Sequence, residues 1–324
     1  MKIAILDDYQ NAALKMADWS SVAQRAQITV FNDHIADPEA IVARLRPFEI
    51  VCVMRERTPL PRAILQRLPR LKLIASTGSR NGSIDTDTAR ERGVVVTATG
   101  YRSTPTVELT WALILASARH IVSESNAVRD GRWQQSIGED LDGKILGVLG
   151  LGRIGGQIAR IGLAFGMKVI AWSQNMTPEI AASVGATLVS KSELFREADF
   201  LTVHLILSER TRGLVGAAEL GLMKATSRLV NTSRAPIVDE ASLIDALRSR
   251  AIAGAALDVF DQEPLPAGHP FRTLDNVLAT PHIGYVAESL YQTFYGDTVT
   301  NIAAWLDAQE RKARHPRAKR LSAL

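Results

Sequence analysis

Three residues stand out for the chemistry they could do together. His282 lies in Thr-Pro-His-Ile-Gly at 280–284, Glu263 in Asp-Gln-Glu-Pro at 261–264, and Arg234 in Asn-Thr-Ser-Arg-Ala at 231–235. An imidazole gains and loses its proton near neutral pH, so His282 is a candidate general acid and base. A carboxylate beside it would orient the ring and stabilise its charged form, the part that suits Glu263. A guanidinium offers a planar fork to a carboxylate and polarises a neighbouring carbonyl, the part that suits Arg234. Each residue also has a plainer reading. A loop histidine is commonly solvated or satisfied in a core, and a loop arginine or glutamate is commonly a surface charge. Their placement argues for more. Each follows a short apolar run, Leu229–Asn231, Ala255–Leu257 or Val277–Ala279. In an open parallel sheet, ligands bind beyond the carboxyl ends of the strands.

A second group points to the same edge. Gly150-Leu151-Gly152-Arg153-Ile154-Gly155 has the spacing GxGxxG. Alone this is weak. Here it leaves an apolar run, Ile145–Leu149, opens a helical stretch, Ile154–Ala164, and meets a second run, Lys168–Trp172, which is the context a dinucleotide needs. Gly150 permits the tight turn, Gly152 lets a pyrophosphate approach the backbone, and Gly155 lets helix and strand pack closely. The first amides of the helix then face the phosphate charge. About 20 residues on, an acid commonly holds the adenosine ribose. This chain has Ser173, Gln174 and Asn175 there, with neither acid nor arginine. These side chains can hydrogen-bond a hydroxyl or a phosphate. The expected coenzyme is therefore NAD(P)H, with NADP(H) slightly favoured.

The elements that would position these residues are legible as alternating runs. Ile3–Leu6, Ile28–Phe31, Ile50–Val53, Leu71–Ala75 and Val94–Thr97 read as strands, with helical patterns such as Pro38–Leu45 and Pro61–Leu68 between them. A long apolar helix is expected from Thr106 to His120, buried on most sides and suited to a place between domains. A second alternating series begins at Lys144 and includes Phe200–Val203. A closing helix is expected from Val286 to Leu306. Repeated strand–helix alternation implies parallel sheets with helices on both faces. The fold class is α/β, with two doubly wound parallel-sheet domains, a Rossmann cofactor domain inserted in a flavodoxin-like substrate domain. The expected boundaries are 1–100 plus 286–310 for the substrate domain and 101–285 for the cofactor domain. Residues 311–324 are expected to be a disordered basic tail.

With these motifs in place, the chain resembles the D-isomer-specific 2-hydroxyacid dehydrogenases. The resemblance is carried by GLGRIGG at 150–156, ADFLTVHL at 198–205, LMKATSRLVNTSR at 222–234, ALDVFDQEP at 256–264 and TPHIGY at 280–285. It implies Arg234, Glu263 and His282 as the catalytic set and a homodimer. It implies coenzyme contacts from Gly150, Gly152, Arg153, Ile154, Gly155, Ser173, Gln174, Asn175, Thr104 and Thr232, with Asp258 near the nicotinamide carboxamide. The loop from Ser76 to Asp85 resembles the family's substrate loop, whose backbone amides help to hold a carboxylate. Thr77, Gly78, Ser79 and Arg80 are its candidate contacts, with Arg55 and Arg57 on the rim. Departures are Arg80 for a common glycine, Ala235 for the glycine after the catalytic arginine, and Ile206 for a common proline. Interconversion of small 2-keto and D-2-hydroxy acids is the activity implied, of the glyoxylate or hydroxypyruvate reductase type. The alternatives are a phosphoglycerate dehydrogenase and a non-catalytic dinucleotide-sensing scaffold. The intact Arg–Glu–His set weighs against the scaffold. The short stretch after the closing helix, too short for an appended regulatory domain, weighs against the phosphoglycerate enzyme.

Composition excludes several other classes. Of 324 residues, 46% are hydrophobic and 22% charged, which suits a globular chain. No apolar run reaches the roughly 18 residues of a membrane span. The start, Met1-Lys2-Ile3-Ala4-Ile5-Leu6-Asp7-Asp8, turns acidic too early for a signal peptide. One cysteine, Cys52, precludes an internal disulfide, and no metal site is expected. The net charge of +4 is concentrated in Arg311–Arg320, which holds six Lys/Arg, so the rest of the chain sums to −2. Neither a nucleic-acid nor a membrane partner is expected, and a cytoplasmic location is.

Overall fold

The computed structural model describes residues 1–314. The chain divides into two units, one formed by Met1–Arg102 with the chain from Ala287 onward and the other by Ser103–Val286. In the first unit the order is β1 (Lys2–Ile5), α1 (Ser20–Ala23), β2 (Gln27–Val30), α2 (Pro38–Leu45), β3 (Ile50–Val53), α3 (Arg62–Leu65), β4 (Leu73–Ser76), α4 (Thr86–Glu91) and β5 (Val95–Thr97). The strands are parallel and ordered β2-β1-β3-β4-β5. The β-branched run of β3 is buried throughout, because helices cover both faces of a parallel sheet. Helix starts follow local chemistry. Asp37 caps α2 through the Ala40 amide at 2.8 Å, and Pro38 takes the first helical position, where no amide is needed. The stretch expected as helix to Leu68 stops as α3 at Leu65. Its next turn tightens, with the Arg67 and Leu68 amides bonding three residues back, because Pro69 disfavours the helical conformation before it.

The second unit runs α5 (Thr104–Ala118), α6 (Ile121–Arg129), β6 (Ile145–Leu149), α7 (Arg153–Ala164), β7 (Lys168–Trp172), α8 (Pro178–Ala182), β8 (Thr187–Leu188), α9 (Lys191–Glu197), β9 (Phe200–Val203), α10 (Ala217–Leu220), β10 (Arg228–Asn231), α11 (Glu240–Arg248), β11 (Gly254–Leu257) and β12 (Val277–Ala279). Its seven strands are parallel, in the order β12-β11-β10-β9-β6-β7-β8. Chain direction across the sheet reverses between β9 and β6, so the carboxyl end of β6 sits at the switch point where an open α/β sheet receives its ligand. Helix α5 is buried at Val107, Trp111, Leu113 and Ile114, and packs on β10, β11 and α7. Gly162 permits the approach of α7: a Cβ there would lie 2.7 Å from Leu146 Cδ2.

Helix α12 (Glu288–Arg314) closes the described chain and packs on α1 and β4 within the first unit. It buries Leu290, Tyr291, Phe294 and Tyr295, at roughly 1.5–3 kcal/mol for each large side chain. The helix runs further than expected. Arg311–Arg314, expected to belong to the disordered tail, complete its last turn, where cations favour the negative end of the helix dipole. The remainder of the expected tail, 315–324, lies outside the described residues.

Candidate active site

The glycine loop has the geometry its spacing requires. Gly150 takes φ +100°, and a Cβ on it would lie 2.9 Å from the backbone of His204. A Cβ on Gly155 would lie 2.1 Å from the Gly150 carbonyl oxygen, so only glycine lets α7 sit this close to β6. Gly152, which precedes α7, has nothing within 4 Å of a Cβ position. That open backbone, ahead of a 12-residue helix, is a cradle for a pyrophosphate, and the residues fit a dinucleotide. Arg153 and Ile154 form the first turn, Arg153 exposed and Ile154 half-buried. Past β7 the chain turns tightly, the Met176 amide donating to the Ser173 carbonyl at 3.1 Å. Gln174 and Asn175 are exposed at that turn, and Thr104 is exposed at the start of α5.

The three candidate catalytic residues follow adjacent strands, Arg234 after β10, Glu263 after β11 and His282 after β12. Glu263 Oε2 lies 2.6 Å from His282 Nδ1, and its Oε1 accepts the Phe260 amide at 2.9 Å. The carboxylate is therefore held at both oxygens, and it holds one face of the imidazole. Nε2 is the ring nitrogen that Glu263 does not engage. Tyr285 supports the ring edge-on, with centroids 5.6 Å apart. Both His282 and Glu263 are half-buried, at 23% and 31% side-chain exposure, open enough for a small substrate. Arg234 is extended and half-buried, and its Nη1 donates to the Ser233 carbonyl at 2.8 Å.

The loops are fastened from beneath. His282 has φ +53°, a conformation costing on the order of 1–3 kcal/mol for a residue with a side chain. Asp258, 1% exposed, holds that conformation. It accepts the Thr280 hydroxyl at 2.7 Å and the Ile283 and Gly284 amides at 2.8 Å each. Burial pushes its carboxyl above the usual range, against these hydrogen bonds. The resemblance implies a carboxamide contact for Asp258, yet three of its acceptor positions serve the histidine loop. Asn231 does the same for the arginine loop, accepting the Ser233 amide and donating to the Arg234 carbonyl. Thr232 is buried, with its hydroxyl 2.8 Å from that of Thr110, so it is engaged toward the protein core. His204 pairs with Thr202 at 2.7 Å, and burial pushes it down to about 3, so it stays neutral and is no proton donor at working pH.

In the first unit the expected substrate loop is only partly as anticipated. The Thr77 amide donates to the Val53 carbonyl and the Gly78 amide to Thr99 Oγ1. Neither is spared for a substrate carboxylate, because the loop leaves β4 still paired to its neighbours. The Thr77 hydroxyl receives the Arg55 amide at 2.9 Å and is likewise internal. Ser79 and Arg80 are exposed. Arg55 takes φ +52°, and its guanidinium lies against Gly78, where a Cβ would come 1.8 Å from Nη1, and 5.4 Å from the Tyr101 ring. Arg57 lies over Tyr9 at 4.6 Å. Asp258 as loop anchor, Asn231 and Thr110 were not foreseen in these roles. A buried Thr pair four apart on an apolar helix was the available signal.

Among the described residues, no group of three or more His, Cys, Asp or Glu could hold a metal ion, and no helix is long and apolar enough to cross a membrane. Comparison with known proteins agrees with the geometry. The family model for the D-isomer specific 2-hydroxyacid dehydrogenase NAD-binding domain matches residues 111–284, more than half of the chain. A glyoxylate reductase from Aeropyrum pernix is 44% identical over 229 residues, 68% of each chain. A D-3-phosphoglycerate dehydrogenase from Methanocaldococcus jannaschii is 36% identical over 280 residues, 82% of this chain but 53% of that one. The structure of a phosphoglycerate oxidoreductase from Vibrio cholerae superposes with a TM-score of 0.90 at 38% identity, covering 95% of this chain and 99% of that one. By its two parallel sheets, its glycine loop and these relatives, the chain belongs to the D-isomer-specific 2-hydroxyacid dehydrogenase family.

Proposed function

We propose that this chain is an NAD(P)H-dependent reductase of small 2-keto acids, of the glyoxylate or hydroxypyruvate type, which also oxidises the corresponding D-2-hydroxy acids. The observation that carries the reading is the His282–Glu263 pair at 2.6 Å, one strand from Arg234 and on the same sheet edge as the glycine loop. The dinucleotide supplies the hydride when bound. Arg234 binds the substrate carboxylate through its fork. His282, as imidazolium, gives the Nε2 proton to the carbonyl oxygen in reduction and takes it back in oxidation. Glu263 holds the ring by Nδ1.

A phosphoglycerate substrate is the second reading. The names of some relatives favour it. The glyoxylate reductase of Thermococcus litoralis supports the first reading, at 37% identity with 81% of that enzyme covered. Rates of NADH and NADPH oxidation with glyoxylate, hydroxypyruvate, pyruvate, phenylpyruvate and 3-phosphohydroxypyruvate decide between them. Coenzyme binding without turnover on any would favour a scaffold.

The reading includes a homodimer. Ile121, Val122, Val128, Trp133 and Ile137 lie close together in sequence and are 49–95% exposed, a group of apolar side chains that a second copy would cover. Light scattering of the wild type and of Trp133→Glu with Ile137→Glu tests this. A monomeric wild type would remove the dimer from the proposal.

A further inference from the structure

Two loops with different duties end on the same turn of one buried helix. Thr106 and Thr110 lie four residues apart on α5, on one face, with 6% and 0% exposure. The Thr106 hydroxyl donates to the Gly284 carbonyl at 3.0 Å, two residues past His282. The Thr110 hydroxyl donates to the Thr106 carbonyl at 2.7 Å. Its single proton is then spent, so at the 2.8 Å contact with Thr232 it is Thr232 that donates. Thr232 stands two residues before Arg234. The connection therefore runs from the arginine loop through the Thr232 and Thr110 hydroxyls to the Thr106 backbone carbonyl, and from the Thr106 hydroxyl on to the histidine loop. Gly284 is fixed at both polar atoms, its amide by Asp258 Oδ2 at 2.8 Å and its carbonyl by Thr106.

The geometry points to Thr106 and Thr110 as positioning residues that set the separation of Arg234 and His282. The inference rests on the roles proposed above for those two residues. The other buried positions of helix α5 are apolar, and at these two valine would serve packing as well and leave no hydroxyl to satisfy. Two threonines on the face toward the strand ends are explained by what they hold. A misplacement of the proton donor by about 1 Å costs on the order of 10²-fold in rate, so a fastener common to both loops has a direct catalytic consequence.

The test uses the full chain, hydroxypyruvate and whichever of NADH or NADPH it oxidises faster. Three variants are compared, with rates expressed per coenzyme-binding site from fluorescence titration. Thr106→Val removes one fastening of the histidine loop and is expected to lower kcat about 5–20-fold, with coenzyme Kd within about two-fold of wild type. Thr106→Ser restores the hydroxyl and should bring kcat back to within about two-fold. Thr232→Val frees the arginine loop without stripping a donor from any buried carbonyl, so it should fold even if Thr106→Val does not. It is expected to raise the keto-acid KM at least about five-fold with a smaller change in kcat. A role in folding alone would lower the number of binding sites and leave kcat and KM per site unchanged. That result, or a Thr106→Ser as impaired as Thr106→Val, would overturn the inference. His282→Ala and Arg234→Lys run beside them. If those two keep wild-type constants, the reading of the site has failed. If they lose activity while the threonine variants do not, only the positioning role has failed.

Discussion

His282, the proposed proton donor, is held in place by Glu263. The 2.6 Å contact at Nδ1 fixes the ring and leaves Nε2 as the nitrogen that Glu263 does not engage. Glu263→Gln keeps the size and removes the charge. With the ring less firmly held, kcat for reduction is expected to fall about ten-fold, with coenzyme Kd within about two-fold of wild type. Steady-state rates and coenzyme titration check this, and a wild-type kcat would mean that Glu263 does not position the ring. The coenzyme choice also rests on single residues. With Ser173 at the end of β7, NADPH is expected to work at least comparably to NADH, and Ser173→Asp should shift preference to NADH by charge repulsion. A wild-type preference for NADH above about 100-fold would contradict that. The candidate catalytic set is legible in the sequence because each residue follows a strand end. Asp258 was legible only as a motif residue. Its anchoring duty depends on three groups beyond the end of β12, more than twenty residues away, which no local pattern reveals.

At the scale of elements, the β6–glycine loop–α7 unit separates packing from binding. Gly155→Ala forces a Cβ against the Gly150 carbonyl, a rigid neighbour, so α7 must shift, and both stability and coenzyme affinity should fall. Gly152→Ala meets open space, so thermal stability should hold while coenzyme affinity drops at least about ten-fold. Thermal melts and coenzyme titration of the two variants test the distinction; equal coenzyme affinity in Gly152→Ala and wild type would place the pyrophosphate elsewhere. The strongly apolar strands are legible in the sequence. Ile50–Val53, Ile145–Leu149, Lys168–Trp172 and Phe200–Val203 have the boundaries expected. Strand β8 is not, being two residues at a sheet edge with too little apolar pattern to register. Nor is α6, which begins after His120 takes a left-handed turn that the apolar run from α5 does not signal. The loop expected to bind substrate shows the same limit. Its glycines were evident, but the partners of its amides, Val53 and Thr99, come from β3 and from beyond β5.

For the whole molecule, acid stability should carry the mark of His204. Burial holds its folded-state value at about 3, below the ordinary 6.5. A group depressed on folding contributes stability that is present above pH 6.5 and lost progressively as pH falls toward 3. The slope is at most about 1.4 kcal/mol per pH unit for one proton. Urea unfolding at pH 7 and pH 5 should therefore cost the wild type about 1–2 kcal/mol more than His204→Gln, whose amide can still meet Thr202. Equal losses would show that His204 takes up no extra proton on unfolding. The claim on which everything else depends is that these two sheets and their strand-end residues make a stereospecific 2-keto-acid reductase. Its most direct measurement is the reduction of hydroxypyruvate by wild type and His282→Ala at saturating coenzyme, with the handedness of the glycerate formed. The account expects D-glycerate from the wild type and a rate about 10²–10⁴-fold lower from His282→Ala, with coenzyme binding retained. L-glycerate, or a His282→Ala variant as fast as the wild type, would contradict it.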